Sequence, residues 1–140
     1  MHPNEALLRR AYDAQGRGDV DGYIECLSDT IILHIPGRSR IAGDYSGKED
    51  VRRHFREIAE LSGGSFRTEV HDVVAGDDHA VGLINARAER DGRVIDLPRV
   101  HVWHVRDGKL SEVWLCPADQ YAFDEYWGIR DRPTEHPSAR

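Results

Sequence analysis

The sequence predicts an α+β fold in which N-terminal helices cover one face of a curved antiparallel sheet. Three observations point there. Apolar residues recur at helical spacing in the first half of the 140-residue chain, the period drops to two from Phe66 onward, and the pairs Asp91-Gly92 and Asp107-Gly108 punctuate the alternating stretch. Helices followed by a run of hairpin-linked strands give an α+β layer arrangement.

In chain order, Leu7, Leu8, Ala11 and Tyr12 form the apolar stripe of a first helix, stopped by Gly16-Arg17-Gly18. Asp19 caps a short second helix that turns Val20, Tyr23, Ile24 and Leu27 inward. Thr30 to Ile35 is β-branched and apolar, a strand closed by Pro36-Gly37. After a loop to Tyr45, Ser46-Gly47-Lys48-Glu49 reads as a capping box opening a third helix, with Val51, Phe55, Ile58, Ala59 and Leu61 on one face and Gly63-Gly64 at its end. Four strands follow at about 66–75, 79–90, 93–106 and 109–116, with Pro98 marking a bulge or an edge. Residues 1–127 make one domain, and 128–140 read as a mobile charged tail.

Composition narrows the function. With 19 Lys and Arg against 25 Asp and Glu the net charge is −6, the wrong sign for a nucleic-acid or anionic-membrane binder. The apolar runs are too short for a transmembrane helix, the charged start lacks a secretory signal, and two cysteines make neither a disulfide framework nor a zinc site. The expected address is the cytoplasm. No phosphate-binding glycine loop, nucleophile elbow or metal cluster is present, so no cofactor is expected. His101 and His104 lie three apart on a strand, hence on opposite faces.

Strand 79–90 presents Ala80, Gly82, Ile84, Ala86 and Ala88 on one side. Such small residues leave space for helix side chains or for a ligand. Grouping the small and β-branched faces adds Val100 and Val102, then Val113 and Leu115, to an apolar concave wall. The opposite face then collects Asn85, Arg87, Arg99, His101, Trp103, Glu112 and Trp114, a composition suited to a homodimer interface or to a solvated face. Phe55 reaches the pocket from the third helix, Tyr45 lines its entrance, and Asp119 is the candidate acid near the mouth, ahead of the aromatic stretch to Trp127. His54, beside Phe55 on the third helix, reads as a solvated position, the alternative being the pocket rim.

Element order, the stretch Asp29 to Gly37, Ile41 to Gly47 leading into a helix, and His104 to Leu110 in the last hairpin resemble the SnoaL-like branch of the nuclear transport factor 2-like superfamily. The resemblance implies a cystatin-like conical α+β fold with three N-terminal helices and an apolar internal pocket. It also implies pairing of two copies through the outer sheet face. It further implies a cofactor-independent acid/base enzyme of isomerase, cyclase or dehydratase type acting on a small, largely apolar, ring-containing molecule. The alternative on the same scaffold is a non-catalytic small-ligand-binding module.

In similar ketosteroid isomerases the catalytic base follows the strand-opening aspartate by five residues. Counted from Asp29, that place holds His34, beside Ile32. Tyr12 matches the oxyanion-stabilising tyrosine of the first helix. The acids that isomerases and cyclases carry further along fall on Val100 and Leu115 here, which neither donate nor accept a proton. Strand parity opposes the assignment of His34, because Ile31, Leu33 and Ile35 form the more apolar face. A pocket-facing base and an outward structural histidine both fit the residues.

Overall fold

The computed structural model describes residues 1–130. Two helices, α1 (Pro3–Gly16) and α2 (Val20–Glu25), precede strand β1 (Leu27–Ile35), a short strand β2 (Gly43–Ser46) and helix α3 (Lys48–Leu61). The meander β3 (Arg67–Ala75), β4 (His79–Arg90), β5 (Arg93–Arg106) and β6 (Lys109–Pro117) follows, and helix α4 (Gln120–Trp127) closes the described chain. Neither β2 nor α4 is expected from the sequence pattern.

Local chemistry sets the element ends. His2 caps α1 by accepting the Asn4 N–H on Nδ1, with Pro3 supplying a helical φ in the first turn. Asp19 caps α2 through the Gly22 N–H. The capping box expected at Ser46–Glu49 does not form: Gly47 is the cap residue, at φ 88, and the Asp50 carboxylate accepts the Ser46 N–H. Glycine at that positive φ replaces a side-chain cap by a backbone turn that a serine would adopt only with strain. Both Asp-Gly turns have positive φ at both residues, 53 and 77 at Asp91-Gly92 and 52 and 74 at Asp107-Gly108.

The six strands run in the order β2-β1-β6-β5-β4-β3. All pairings are antiparallel except β1 with β6, which is parallel because α3 and the whole meander separate them in the chain. Pro98 sits where the β6 partner runs out, one residue before the Arg99–Pro117 pair, so its missing N–H leaves no gap in the ladder.

The inner face carries the core. Leu8, Leu27, Ile31, Trp103, Leu110, Phe123 and Trp127 are all at most 1% exposed. Helix α3 contributes Val51 and Ile58 but turns His54 inward where Ala59 was expected, and Ala59 is exposed. Residues 128–130, expected in the tail, are tied to the loop at 38–40. The Arg40 N–H donates to the Gly128 carbonyl, the Arg130 N–H donates to that of Arg38, and Ser39 bridges Ile129. The remainder of the expected mobile tail, 131–140, lies outside the described residues. Among the described residues no helix is long and apolar enough to cross a membrane.

Candidate functional site

The inner face of the sheet, α1, α3 and α4 enclose a cleft with about 550 Å³ of free space including its mouth, of which about 50 Å³ admits the centre of a water molecule. Leu33 and Ile35 of β1, Val113 and Leu115 of β6, Phe55 and Ile58 of α3, and Phe66, Phe123 and Trp127 supply apolar walls. The polar lining is Gln15, Tyr23, His54, Arg99, His101 and Trp103. No Asp or Glu lines it among the described residues.

This placement corrects the facing expected for β5. Arg99, His101 and Trp103 point inward, whereas Val100 and Val102, expected in the pocket wall, lie on the outer face. Cross-strand pairing gives the reason. The two-residue turn at Asp91-Gly92 pairs Arg90 with Arg93, and counting back pairs Ala80 with Trp103, Gly82 with His101 and Ile84 with Arg99. Directly paired residues share a face, so the largest side chains of β5 fill the room left by the smallest of β4.

Tyr12 completes the packing from α1. A Cβ on Gly82 would collide with its ring and hydroxyl, so only glycine admits it there. The Trp103 Nε1–H donates to the Tyr12 hydroxyl at 3.1 Å, and the hydroxyl is 2.9 Å from His101 Nδ1. An indole N–H can only donate, so among the described residues His101 Nδ1 is the one acceptor within reach of the Tyr12 hydroxyl proton, which assigns that proton to His101. Burial, reinforced by the Arg99 charge, pulls the His101 pKa down to about 3, so its imidazole is neutral. With Nδ1 accepting, the neutral ring carries its proton on Nε2. Burial pushes the Tyr12 phenol well above its usual range, against the hydrogen bond from Trp103 and the charge of Arg99, which keeps this hydroxyl a proton donor.

Arg99, two residues earlier on the same face, stands between two aromatic rings, its guanidinium 5.7 Å from the centre of Phe66 and 5.5 Å from that of Phe123. Burial lowers its pKa to about 10 although Tyr12 acts in the opposite sense, so it remains a cation at neutral pH. Its Nε is buried with no hydrogen-bond partner. Across the cleft His54 is 6% exposed, lies 4.7 Å from the Tyr45 ring and leaves Nδ1 unpartnered. Burial, then the charges of Arg99 and Arg53, lower its pKa to about 4.

The remaining expected site residues scatter. Phe55, Val113 and Leu115 line the cleft. Ile84 and Ala86 are buried on the inner face below it. Tyr45 is 8% exposed and donates its hydroxyl to the Ile41 carbonyl, backing His54 instead of framing an entrance. Asp119 caps α4 by accepting the Ala122 N–H and stays in solvent.

Ile32 and His34 lie on the outer face, as the parity of β1 demands. His34 is held between Glu112 at 2.6 Å and Asp44 at 2.8 Å and stacks on Trp114 at 5.0 Å. Burial works to lower its pKa, but the hydrogen bonds and charges of the two carboxylates outweigh it and the pKa is raised. The base expected from the isomerase position therefore has no access to the cleft.

Sequence reasoning put Arg99 and His101 on the wrong face and favoured solvent for His54. Hairpin arithmetic from Asp91-Gly92 carried the signal for the first two. For His54 the signal was its place three residues after Val51 and four before Ile58 on the buried stripe of α3.

Comparison with known proteins agrees with this architecture. A family model described as a SnoaL-like domain matches residues 8–113. An uncharacterized protein of Mycobacterium tuberculosis strain H37Rv is 25% identical over 122 residues, covering 86% of this chain and 93% of that protein. Among solved structures, Bal32a from a soil-derived mobile gene cassette is 32% identical with a TM-score of 0.86, covering 90% of this chain and 97% of that one. An NTF2-like protein of Burkholderia pseudomallei gives 0.83 at 20% identity, covering 92% and 100%. TerC, co-crystallised with polyporic acid, gives 0.79 at 20% identity, covering 89% and 97%.

Proposed function

Because the chain belongs to the SnoaL-like domain family, whose fold hosts isomerases, cyclases and plain binders, we propose that its cleft takes a small, largely apolar, ring-sized molecule and moves a proton on it. The observation that carries this reading is the relay Trp103–Tyr12–His101, which ends in a neutral imidazole at the wall of an apolar cleft. Proton abstraction next to a carbonyl needs a donor at the oxygen and an acceptor at the carbon. His101 Nε2–H donates to the developing enolate oxygen. His54 takes the carbon-bound proton and returns it to a second carbon, which balances an isomerisation. Tyr12 is a positioning residue in this scheme, since its hydroxyl is engaged on both sides and fixes the His101 tautomer. The TerC neighbour, co-crystallised with a small molecule, supports such an occupant.

Proton exchange tests the scheme without knowledge of the substrate. Cyclic ketones that bind the protein are incubated with it in deuterated buffer, and loss of the α-proton signal is followed by NMR. The scheme expects catalysed exchange that falls by roughly 10²–10⁴-fold in His54→Ala and His101→Ala and stays at the wild-type rate in His34→Ala. Bound ketones that show no exchange overturn it. A binding module is then the better description, which the carboxylate-free lining and the low pKa of both histidines favour.

The same reading includes a homodimer through the outer sheet face, now built on Leu83, Val100, Val102 and Trp114 instead of Arg99 and Trp103. These partly exposed apolar residues support it. Light scattering is expected to show a dimer at tens of micromolar that Leu83→Glu converts to monomer.

A further inference from the structure

We propose that the ligand of this cleft is an organic anion, and that Arg99 holds its acidic group. The inference rests on the reading that the cleft takes a small molecule, and it names that molecule's chemical class. Arg99 lines the cleft from the inner face of β5, yet among the described residues no carboxylate pairs with it and its Nε finds no acceptor. The chain has 25 acidic residues, and none of those described lines this cleft. Arg99 is half-buried with its Nε fully enclosed, so its guanidinium gives up part of its hydration without a counter-ion, a cost that two aromatic faces more than 5 Å away offset only in part.

The groups around it are donors too. His101 presents Nε2–H, because Tyr12 has committed its proton to Nδ1. The Trp127 indole N–H is buried without a partner and belongs to the same aromatic cluster, its ring 6.3 Å from Phe66 and 6.5 Å from Phe123. A carboxylate, or an enol or phenol acidic enough to ionise at neutral pH, brings both the missing charge and lone pairs for these N–H groups. A neutral carbonyl accepts from one or two donors and leaves the cation unpaired. The apolar walls then receive the rest of the molecule, so the class is a small hydrophobic acid, not a polyanion.

The test uses naphthalene-2-carboxylate and its carboxamide, which share one apolar body and differ in charge. Calorimetry at neutral pH on the full chain, with quenching of Trp fluorescence as a second readout, is expected to give at least tenfold tighter binding of the carboxylate. Arg99→Met is expected to erase that preference and Arg99→Lys to keep part of it. The unliganded Arg99→Met protein is expected to melt at or above the wild type, because a half-buried charge with no counter-ion is gone.

Equal or tighter binding of the carboxamide by the wild type overturns the inference while leaving a small-molecule cleft in place. A carboxylate preference that survives in Arg99→Met overturns it as well. Should neither compound bind at millimolar concentration, the cleft reading and the inference fall together. The wild-type comparison stands even where a variant does not fold.

Discussion

His101 and His34 sit on opposite faces of one sheet, two strands apart, and their surroundings drive them to opposite protonation states. Inside, burial and the Arg99 charge hold His101 neutral, with a pKa near 3, and Tyr12 fixes its tautomer. Outside, burial is outweighed by Glu112 and Asp44, and the His34 pKa rises. The cleft side is donor-rich, and among the described residues its lining holds no carboxylate. The outer face places two carboxylates on His34. The sequence reading made only His34 a candidate base, but the histidine cut off from carboxylates, His101, is the one that faces the cleft.

The difference between the faces can be broken most forcefully at tryptophan. Trp103 is 1% exposed, bonded to Tyr12 and packed over Ala80, so Trp103→Ala is expected to lose about 3–5 kcal/mol in urea unfolding. Trp114, partly exposed beside His34, is expected to lose only about 1 kcal/mol in the same substitution. Comparable losses at the two positions contradict the assignment of faces.

Tyr12→Phe isolates the relay. It removes the acceptor of the Trp103 N–H and the donor to His101 while keeping the ring over Gly82, and a loss of about 1–3 kcal/mol is expected. Heteronuclear NMR of the imidazoles is expected to show His101 exchanging between tautomers in the variant and locked with Nε2 protonated in the wild type.

Acidity sharpens the contrast further, because the two faces contribute with opposite sign. In the unfolded chain each histidine binds its proton near pH 6.5, whereas folded His54 and His101 do so only near 4 and 3. Below about pH 6.5 the unfolded state is therefore protonated first, and stability falls as pH falls toward those folded values. His34, with a raised folded pKa, contributes stability that is fully present below its unfolded value and is lost as pH rises through the folded one. His54→Leu, which removes an unpartnered buried Nδ1, is expected to flatten the loss between about pH 6.5 and 4 and to leave neutral-pH stability equal or about 1 kcal/mol higher. Urea midpoints at pH 7, 6 and 5 measure both effects.

The smallest change belongs to His34→Ala. Its carboxylate partners are solvent-accessible, Asp44 strongly so, and loss of such a pair is worth up to about 1 kcal/mol. Binding of the naphthalene probes is expected to be unaffected.

Much of the fold was legible because its signals are local. Asp19 needs only Gly22 to cap a helix, and Asp91-Gly92 or Asp107-Gly108 need only their own backbone to turn a strand. The site was less so. Position counting from a related enzyme led to His34, while the alternation of Ile31, Leu33 and Ile35 already opposed it, and the alternation proved decisive. On β5, preference for β-branched residues as a pocket wall put Val100 and Val102 inside, though the Asp91-Gly92 register requires Arg99, His101 and Trp103 there.

Register on the next strand was beyond reach. The Asp107-Gly108 turn pairs Arg106 with Lys109, and continuing that count sets Trp103 opposite Glu112. A bulge between His104 and Val105 shifts the ladder by one and brings Trp103 to Val113 instead. By itself, then, the sequence determined the helices, the hairpins and the α+β layering, since each depends on residues a few positions apart. Tertiary structure alone decided which residues of β6 and β1 join Arg99, His101 and Trp103 at the cleft. Their register depends on a bulge, on the parallel docking of β1 against β6 and on Tyr12 passing over Gly82, contacts between segments as much as 83 residues apart that no local pattern encodes.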